Sequence, residues 1–219
     1  MPSTIILHIG LPKTGATSLQ RAFFENRDQL AASGIAYPLP TNSKWNAQHD
    51  FVRAFHRGGP AAVNAVFDEC RLQIEGSDWL LMSSEEFAAW RASDIHAWKS
   101  YLDQRFATPA YRVHMCIRRW ADLVPSLWRR HVISGGVSSF PEYALTALLQ
   151  MQRDQRFGFE LIADSWIEAF GRGAVRITPI ERITESGGDL VARTFQSLLE
   201  IEADESTGPI GRFLRNRWS

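Results

Sequence analysis

The sequence predicts a three-layer α/β fold in which helices flank a mainly parallel central sheet. Short strand-like runs alternate with longer helical patterns along the chain, the arrangement of strand–helix–strand units. Polar residues with useful chemistry stand just past three of those runs, at Lys13, Glu85 and Arg118. Open parallel sheets bind ligands beyond the carboxyl ends of their strands, so this placement marks a binding edge.

Thr4–Ile9 is β-rich and stops at Gly10, as a buried strand does. Leu19, Ala22, Phe23 and Leu30 then recur at helical spacing over Ala16–Ala32, and Gly34 supplies the stop. Ile35–Tyr37 reads as a short strand closed by Pro38 and Pro40, and Thr41–Asn46 as a polar loop. Helical patterns cover Gln48–His56 and Ala61–Glu75. Trp79–Met82 is a compact apolar strand with Ser83-Ser84-Glu85-Glu86 at its carboxyl end. A helix over Ile95–Arg105 leads to a strand at Tyr111–Ile117, then Arg118-Arg119, then a helix over Ala121–Ile133 broken by Gly135-Gly136. Pro141–Arg153 and Phe159–Phe170 read as helices, Ala174–Ile177 as a strand and Asp189–Leu199 as a last amphipathic helix. No repeat, low-complexity tract or linker interrupts the series, so residues 1–219 read as a single domain.

Composition narrows the function. Lys+Arg and Asp+Glu both number 24, and a formal charge of zero argues against a general nucleic-acid binder. Cys70 and Cys116 fall outside any CxxC or Cys/His ligand spacing, which disfavours a zinc site or a disulfide scaffold; Cys116 reads as a buried thiol. No apolar stretch approaches the roughly 20 residues that span a bilayer, so no stable membrane insertion is expected. The amino terminus has no basic n-region and no signal-peptide pattern, and the expected location is cytoplasmic.

The loop Gly10-Leu11-Pro12-Lys13-Thr14-Gly15-Ala16-Thr17-Ser18 joins the first strand to the first helix. A strand, a glycine turn and a helix N-terminus form an anion site, because free N–H groups and the positive end of the helix dipole point at the ligand. Gly15 allows close backbone approach, Thr14, Thr17 and Ser18 offer hydroxyls, and Lys13 offers a full charge. The loop is not a standard Walker A: Lys13 lies two residues before Gly15, and Ala16 stands where that pattern has Lys.

The string from His8 to Gln20 resembles the 5′-phosphosulfate loop of sulfotransferases, which use 3′-phosphoadenosine 5′-phosphosulfate (PAPS). It looks most like the bacterial branch, whose loop typically reads Pro-Lys-Thr-Gly-Thr-Thr-Ser. Ala16 replaces the usual Thr, which removes one hydroxyl contact and keeps the backbone N–H. The family also carries an Arg at a strand end and a Ser eight residues later, both holding the 3′-phosphate. Arg118 and Ser126 have that spacing, although Trp120 stands where many relatives have Pro or a small polar residue. A guanidinium and a hydroxyl so placed can grip one phosphate dianion. Val175–Arg182 and then Gly187-Gly188-Asp189-Leu190 look like the late strand and helix of the bacterial branch, and Arg212, Arg215 and Arg217 are candidate phosphate contacts in the tail. The resemblance implies a P-loop-NTPase-like fold with PAPS as donor and 3′-phosphoadenosine 5′-phosphate (PAP) as product. Its nucleotide-binding residues are then Pro12, Lys13, Thr14, Gly15, Ala16, Thr17, Ser18, Arg118 and Ser126.

Sulfuryl transfer resembles phosphoryl transfer in relying on positioning and charge stabilisation. Lys13 is the candidate for stabilising the leaving oxygen, with the N–H groups of residues 14–18 on the 5′-phosphate; nothing in the scheme requires a metal. Glu85 is the first candidate for the base, since Ser-Ser-Glu at that strand end resembles the bacterial branch; adjacent Glu86 would point elsewhere, so that one of the pair is the base and the other solvated. His49 is the rival, because imidazole has a convenient pKa; its plain alternative is a surface or helix-capping residue. His8 reads as a satisfied core histidine, and His114, Trp79, Trp90, Trp98 and Trp166 as packing. Trp45, Phe51 and Phe55 suit either core or contact with a sugar or ring. The expected acceptor is a hydroxyl or amine of a carbohydrate or small metabolite. A P-loop kinase and a non-catalytic nucleotide binder are the alternatives, the latter suggested by Ala16 and the short carboxyl-terminal segment.

Overall fold

Five strands form one parallel sheet in the computed structural model, which describes residues 1–150, 158–185 and 193–194. They are β1 (Thr4–His8), β2 (Ile35–Ala36), β3 (Trp79–Ser83), β4 (Ala110–Ile117) and β5 (Val175–Pro179), in the order β2-β3-β1-β4-β5. Every neighbouring pair is parallel, as the α/β alternation predicts. The chain leaves β1 toward β2 and β3 on one side, then crosses to β4 and β5 on the other. The reversal therefore falls at the carboxyl end of β1, where such sheets open a crevice.

Around the sheet lie α1 (Ala16–Glu25), α2 (Arg27–Ala32), α3 (His49–Glu69), α4 (Arg71–Ile74), α5 (Ala92–Arg105), α6 (Trp120–Ile133), α7 (Phe140–Gln150), α8 (Phe159–Phe170) and α9 (Ile180–Glu185). Short 3-10 turns occupy Glu85–Ala89 and Arg172–Ala174. Side chains alternate across the strands. On one face Ile6 and Leu81 pack with Leu19, Phe23, Leu30 and Tyr37. On the other Ile5, Leu7, Leu80, Met82, Val113 and Met115 meet residues of α3, α5 and α8. That second face holds an aromatic cluster in which Phe55 meets Trp98 edge-on at 4.9 Å and Phe87 meets Trp90 at 4.9 Å. Trp90, Trp98 and Trp166 are buried there, so they pack the core. Phe51 and Phe55 are buried too, whereas Trp45 is exposed.

The helices depart from the sequence pattern in two places. The helix expected over Ala16–Ala32 breaks at Asn26, whose Nδ2 donates to the Ala22 carbonyl at 2.7 Å and closes α1. The two helices expected on either side of Gly58-Gly59-Pro60 run on as α3, kinked where Gly59 takes φ 61°. Pro60 lacks an N–H, so it suits the start of the second half and cannot continue the first half's hydrogen bonding. The helix expected over Asp189–Leu199, the Gly187-Gly188-Asp189-Leu190 segment and Arg212, Arg215 and Arg217 lie outside the described residues, Arg193 and Thr194 apart. Among the described residues no helix is long and apolar enough to cross a membrane.

His8 and His114 sit side by side in register on β1 and β4, both buried. Burial pushes His8 down to about 4, against a smaller upward pull from the Glu85 charge. Burial chiefly, and then His8 and Arg176, holds His114 down at about 3. Unfolded imidazoles titrate near 6.5, so between that pH and about 4 the unfolded chain binds more protons than the folded one. Stability therefore falls as pH drops through this window. Urea unfolding at pH 7.5 and pH 5 checks this, with the lower midpoint expected at pH 5; equal midpoints would mean the two rings are not held neutral.

Candidate active site

The loop between β1 and α1 is clamped on both sides of its start. The Cys116 N–H donates to the Gly10 carbonyl at 2.7 Å, and the Leu11 N–H donates to the Cys116 carbonyl at 3.0 Å, which extends the β1–β4 ladder. On the β3 side the Ser84 N–H donates to the His8 carbonyl at 3.0 Å. Gly10 has φ 95°, and a Cβ added there would lie 3.1 Å from Cα and Cβ of Glu85. Its role is thus to let the Glu85 segment close on the loop as well as to end the strand.

Lys13 and Gly15 take left-handed backbone angles, φ 66° and φ 88°, and Gly15 is the N-cap of α1. Glycine adopts that conformation without penalty. Among the described residues no backbone carbonyl accepts from the N–H groups of Lys13, Thr14, Gly15, Ala16 or Thr17. Such a concavity of unpaired amides at a helix N-terminus has the form of an anion-binding nest. Two expectations are corrected here. The Ser18 N–H turns back to the Gly15 carbonyl at 3.1 Å, so it belongs to the turn rather than to a ligand. The Thr14 hydroxyl is buried and donates to the Leu11 carbonyl at 2.5 Å, so it braces the loop. Lys13, Thr17 and Ser18 are exposed, Pro12 is exposed at the loop's outer turn, and Ala16 is buried beneath it.

Arg118 and Arg119 diverge. Arg118 Nη1 donates to the Lys13 carbonyl at 3.1 Å, which brings the end of β4 onto the loop. Arg119 faces α9: its N–H donates to Glu181 Oε1 at 2.7 Å and its guanidinium pairs with Glu185. Ser126 lies in the second turn of α6, half-buried, and makes no hydrogen bond to Arg118. Pro125 is inside that helix and has no N–H to donate to the Ala121 carbonyl, a defect next to the candidate phosphate ligand.

Past β3 the two glutamates are sorted by different helices. Gln20 of α1 donates through Nε2 to Glu85 Oε2 at 2.8 Å. Arg53 of α3 grips Glu86 through Nε, at 2.9 and 3.0 Å from the two carboxylate oxygens, and through Nη2 as well. Glu86 is therefore ion-paired rather than solvated, which separates it from Glu85. His49 is the first residue of α3 and is buried, so it is neither a surface nor a capping residue. Its Nδ1 bonds the Ser84 hydroxyl at 2.7 Å, and its Nε2 lies 4.0 Å from Glu85 Oε2. Gln48 anchors this corner: its Oε1 accepts from the Ser83 N–H at 2.7 Å and its Nε2 donates to the Pro38 carbonyl at 3.0 Å.

A cavity of about 350 Å³ opens between these parts. Leu11 and Pro12 of the loop and Glu85 and Glu86 form its polar end, and Leu123 and Leu127 of α6, Tyr143 of α7 and Phe159 of α8 are among its walls. Of the three strand-end residues, Glu85 lines this cavity, while Arg118 is joined to the Lys13 carbonyl on the adjoining loop. Sequence reasoning gave no role to Gln20, Gln48, Ser84 or Arg53. The one available signal was a Gln beside Leu19 on the apolar side of α1, where a buried polar group needs a partner.

No protein-family model and no curated protein matches the chain. Among solved structures, a sulfotransferase from Alicyclobacillus acidocaldarius superposes with a TM-score of 0.55 at 15% identity, over 93% of this chain and 83% of that one. The chain has a sulfotransferase fold. A mouse sulfotransferase, SULT7A1 complexed with PAP, superposes with a TM-score of 0.48 at 14% identity, over 97% of this chain; the match covers 64% of the mouse protein, less than two thirds of its length. The five-stranded parallel sheet flanked by helices stands as the sequence predicts.

Proposed function

We propose that this protein transfers a sulfuryl group from PAPS to a hydroxyl or amine acceptor. The observation that carries the reading is the meeting, at the sheet's reversal point, of an amide nest bearing Lys13, an arginine bonded to that nest, and a carboxylate across one cavity. Free amides of residues 14–17 suit the 5′-phosphosulfate, and Lys13 suits the bridging oxygen that gains charge as the S–O bond breaks. Arg118 spends Nη1 on the Lys13 carbonyl and keeps Nη2 and Nε for the 3′-phosphate, with the Ser126 hydroxyl as second donor.

Glu85 is the base in this scheme. It lines the cavity, and Gln20 occupies only Oε2, leaving Oε1 for the acceptor's proton. His49 is assigned a positioning role, because it is buried, bonded to Ser84 and absent from the cavity wall. The acceptor oxygen or nitrogen attacks sulfur, its proton passes to Glu85, and the bond from sulfur to the 5′-phosphate oxygen breaks. The products are a sulfate ester or sulfamate and PAP. The apolar walls favour a small metabolite with an apolar or aromatic body over a carbohydrate. Sugar hydroxyls facing Leu123, Leu127 and Phe159 would lose hydrogen bonds to water at about 1–3 kcal/mol each.

Isothermal titration with PAP tests the donor half. Wild type is expected to bind, and Arg118→Ala to bind about 10- to 100-fold more weakly, as loss of a charge-assisted hydrogen bond implies. Absence of wild-type binding, or tighter binding of ATP with Mg²⁺ than of PAP, removes the proposal.

A further inference from the structure

Beneath the phosphate loop, on the sheet face that carries α1, lies a second cluster that the transfer chemistry does not use. His8 of β1 stands in register with His114 of β4, and Cys116 follows two residues on, so all three side chains leave the same face. All three are buried. One ring nitrogen of each histidine and the Cys116 sulfur lie within 4.8 Å of one another, and His114 Nδ1 is 3.7 Å from the sulfur.

We propose that His8, His114 and Cys116 form a zinc site that ties β1 to β4 under the loop. The remaining ring nitrogens are already engaged as they are in built metal sites. His8 Nδ1 bonds the Ser83 hydroxyl at 2.7 Å, and His114 Nε2 bonds the Thr178 hydroxyl at 3.0 Å. Each hydroxyl fixes its ring and leaves the other nitrogen turned inward, the outer-shell arrangement that orients metal-bound histidines. His8 Nε2 is left fully buried with no hydrogen-bond partner, which corrects the expectation of a satisfied core histidine. An orphaned polar atom inside a core is costly, and a metal ion removes the cost by taking its lone pair.

The geometry and charge suit zinc. Ligands at 2.0–2.3 Å from a tetrahedral Zn²⁺ lie roughly 3.3–3.8 Å apart, so the His114–Cys116 pair is already at ligand spacing and the third donor closes by about 1 Å. Two imidazoles and a thiolate are a borderline-soft set that zinc accepts, with a water completing four-coordination. The thiolate cancels one positive charge, and the Glu85 charge already felt at His8 offsets the second. Burial pushes the Cys116 thiol up, a hydrogen bond with the buried Thr194 partly offsets this, and metal binding releases the thiol proton to solvent. The spacing of Cys70 and Cys116 argued against zinc at the sequence level. A site assembled from two neighbouring parallel strands has no signature along the chain.

The test uses the whole protein. Elemental analysis after purification is expected to find zinc at a one-to-one ratio to chain. Refolding from denaturant with Co²⁺ in place of zinc is expected to give a near-ultraviolet thiolate-to-cobalt charge-transfer band. Cys116→Ala should lose both signals, and Cys70→Ala should keep both. If Cys116→Ala does not fold, His114→Gln carries the same comparison through loss of zinc. Metal-free wild type with no cobalt band after refolding, or a band that survives Cys116→Ala, overturns the proposal. PAP titration on the same samples keeps this outcome separate from that of the transfer reading.

Discussion

Glu85→Gln is expected to lower kcat by about 10²- to 10⁴-fold, the usual span for removal of a general base. The amide matches the carboxylate in shape and still offers an oxygen to Gln20, so the corner keeps its packing. It cannot take a proton. PAP affinity should stay within about twofold, because Glu85 lines the cavity, whose walls do not include residues 13–17 of the amide nest. Labelled PAPS with a panel of phenols, aliphatic alcohols and amines supplies the rate, and titration supplies the affinity. Glu86→Gln is the control: it weakens a half-exposed ion pair with Arg53 and should cost far less. Undiminished kcat in Glu85→Gln would move the base to His49, whose Nε2 is 4.0 Å from the same carboxylate.

Lys13→Ala is expected to reduce kcat by about 10²- to 10³-fold, the cost of removing a donor aimed at charge that develops in the transition state. Lys13 is exposed at the tip of the nest with φ 66°, so its ammonium carries no packing duty that would confuse the measurement. Lys13→Arg should recover part of the rate, since a planar fork cannot place its charge as a compact ammonium does. The pattern to look for is a split. Lys13→Ala falls mainly on kcat, whereas Arg118→Ala falls on PAP binding. If both changed only binding, Lys13 would be a ground-state phosphate ligand and not a leaving-group partner.

The sequence carried the strand–helix alternation, the β1 loop and the three strand-end residues, because each is written in local periodicity and turn chemistry. It did not carry the sorting of Glu85 from Glu86. That is done by Gln20 and Arg53, which lie 65 and 33 residues from their partners and meet them only when α1 and α3 dock on the sheet. Gly10 reads locally as a strand stop, yet the space it leaves is filled by Glu85. Thr14 reads as a ligand hydroxyl, yet it turns inward to Leu11. The short β2 was legible, but its position at the sheet edge beyond β3 is a property of topology. Local signals set which residues are polar at a strand end; tertiary packing sets which of their atoms remain free.

The cavity divides its labour between layers. Its reactive end comes from the sheet edge, where register on both sides of β1 holds the loop and Glu85 segment in fixed relation. Its walls come from α6, α7 and α8, through Leu123, Leu127, Tyr143 and Phe159. All four stand on helices rather than on strands. Under the proposed transfer reaction, a library confined to those four positions is expected to change which acceptors fit while the loop and Glu85 stay in place, which makes this scaffold a starting point for directed evolution.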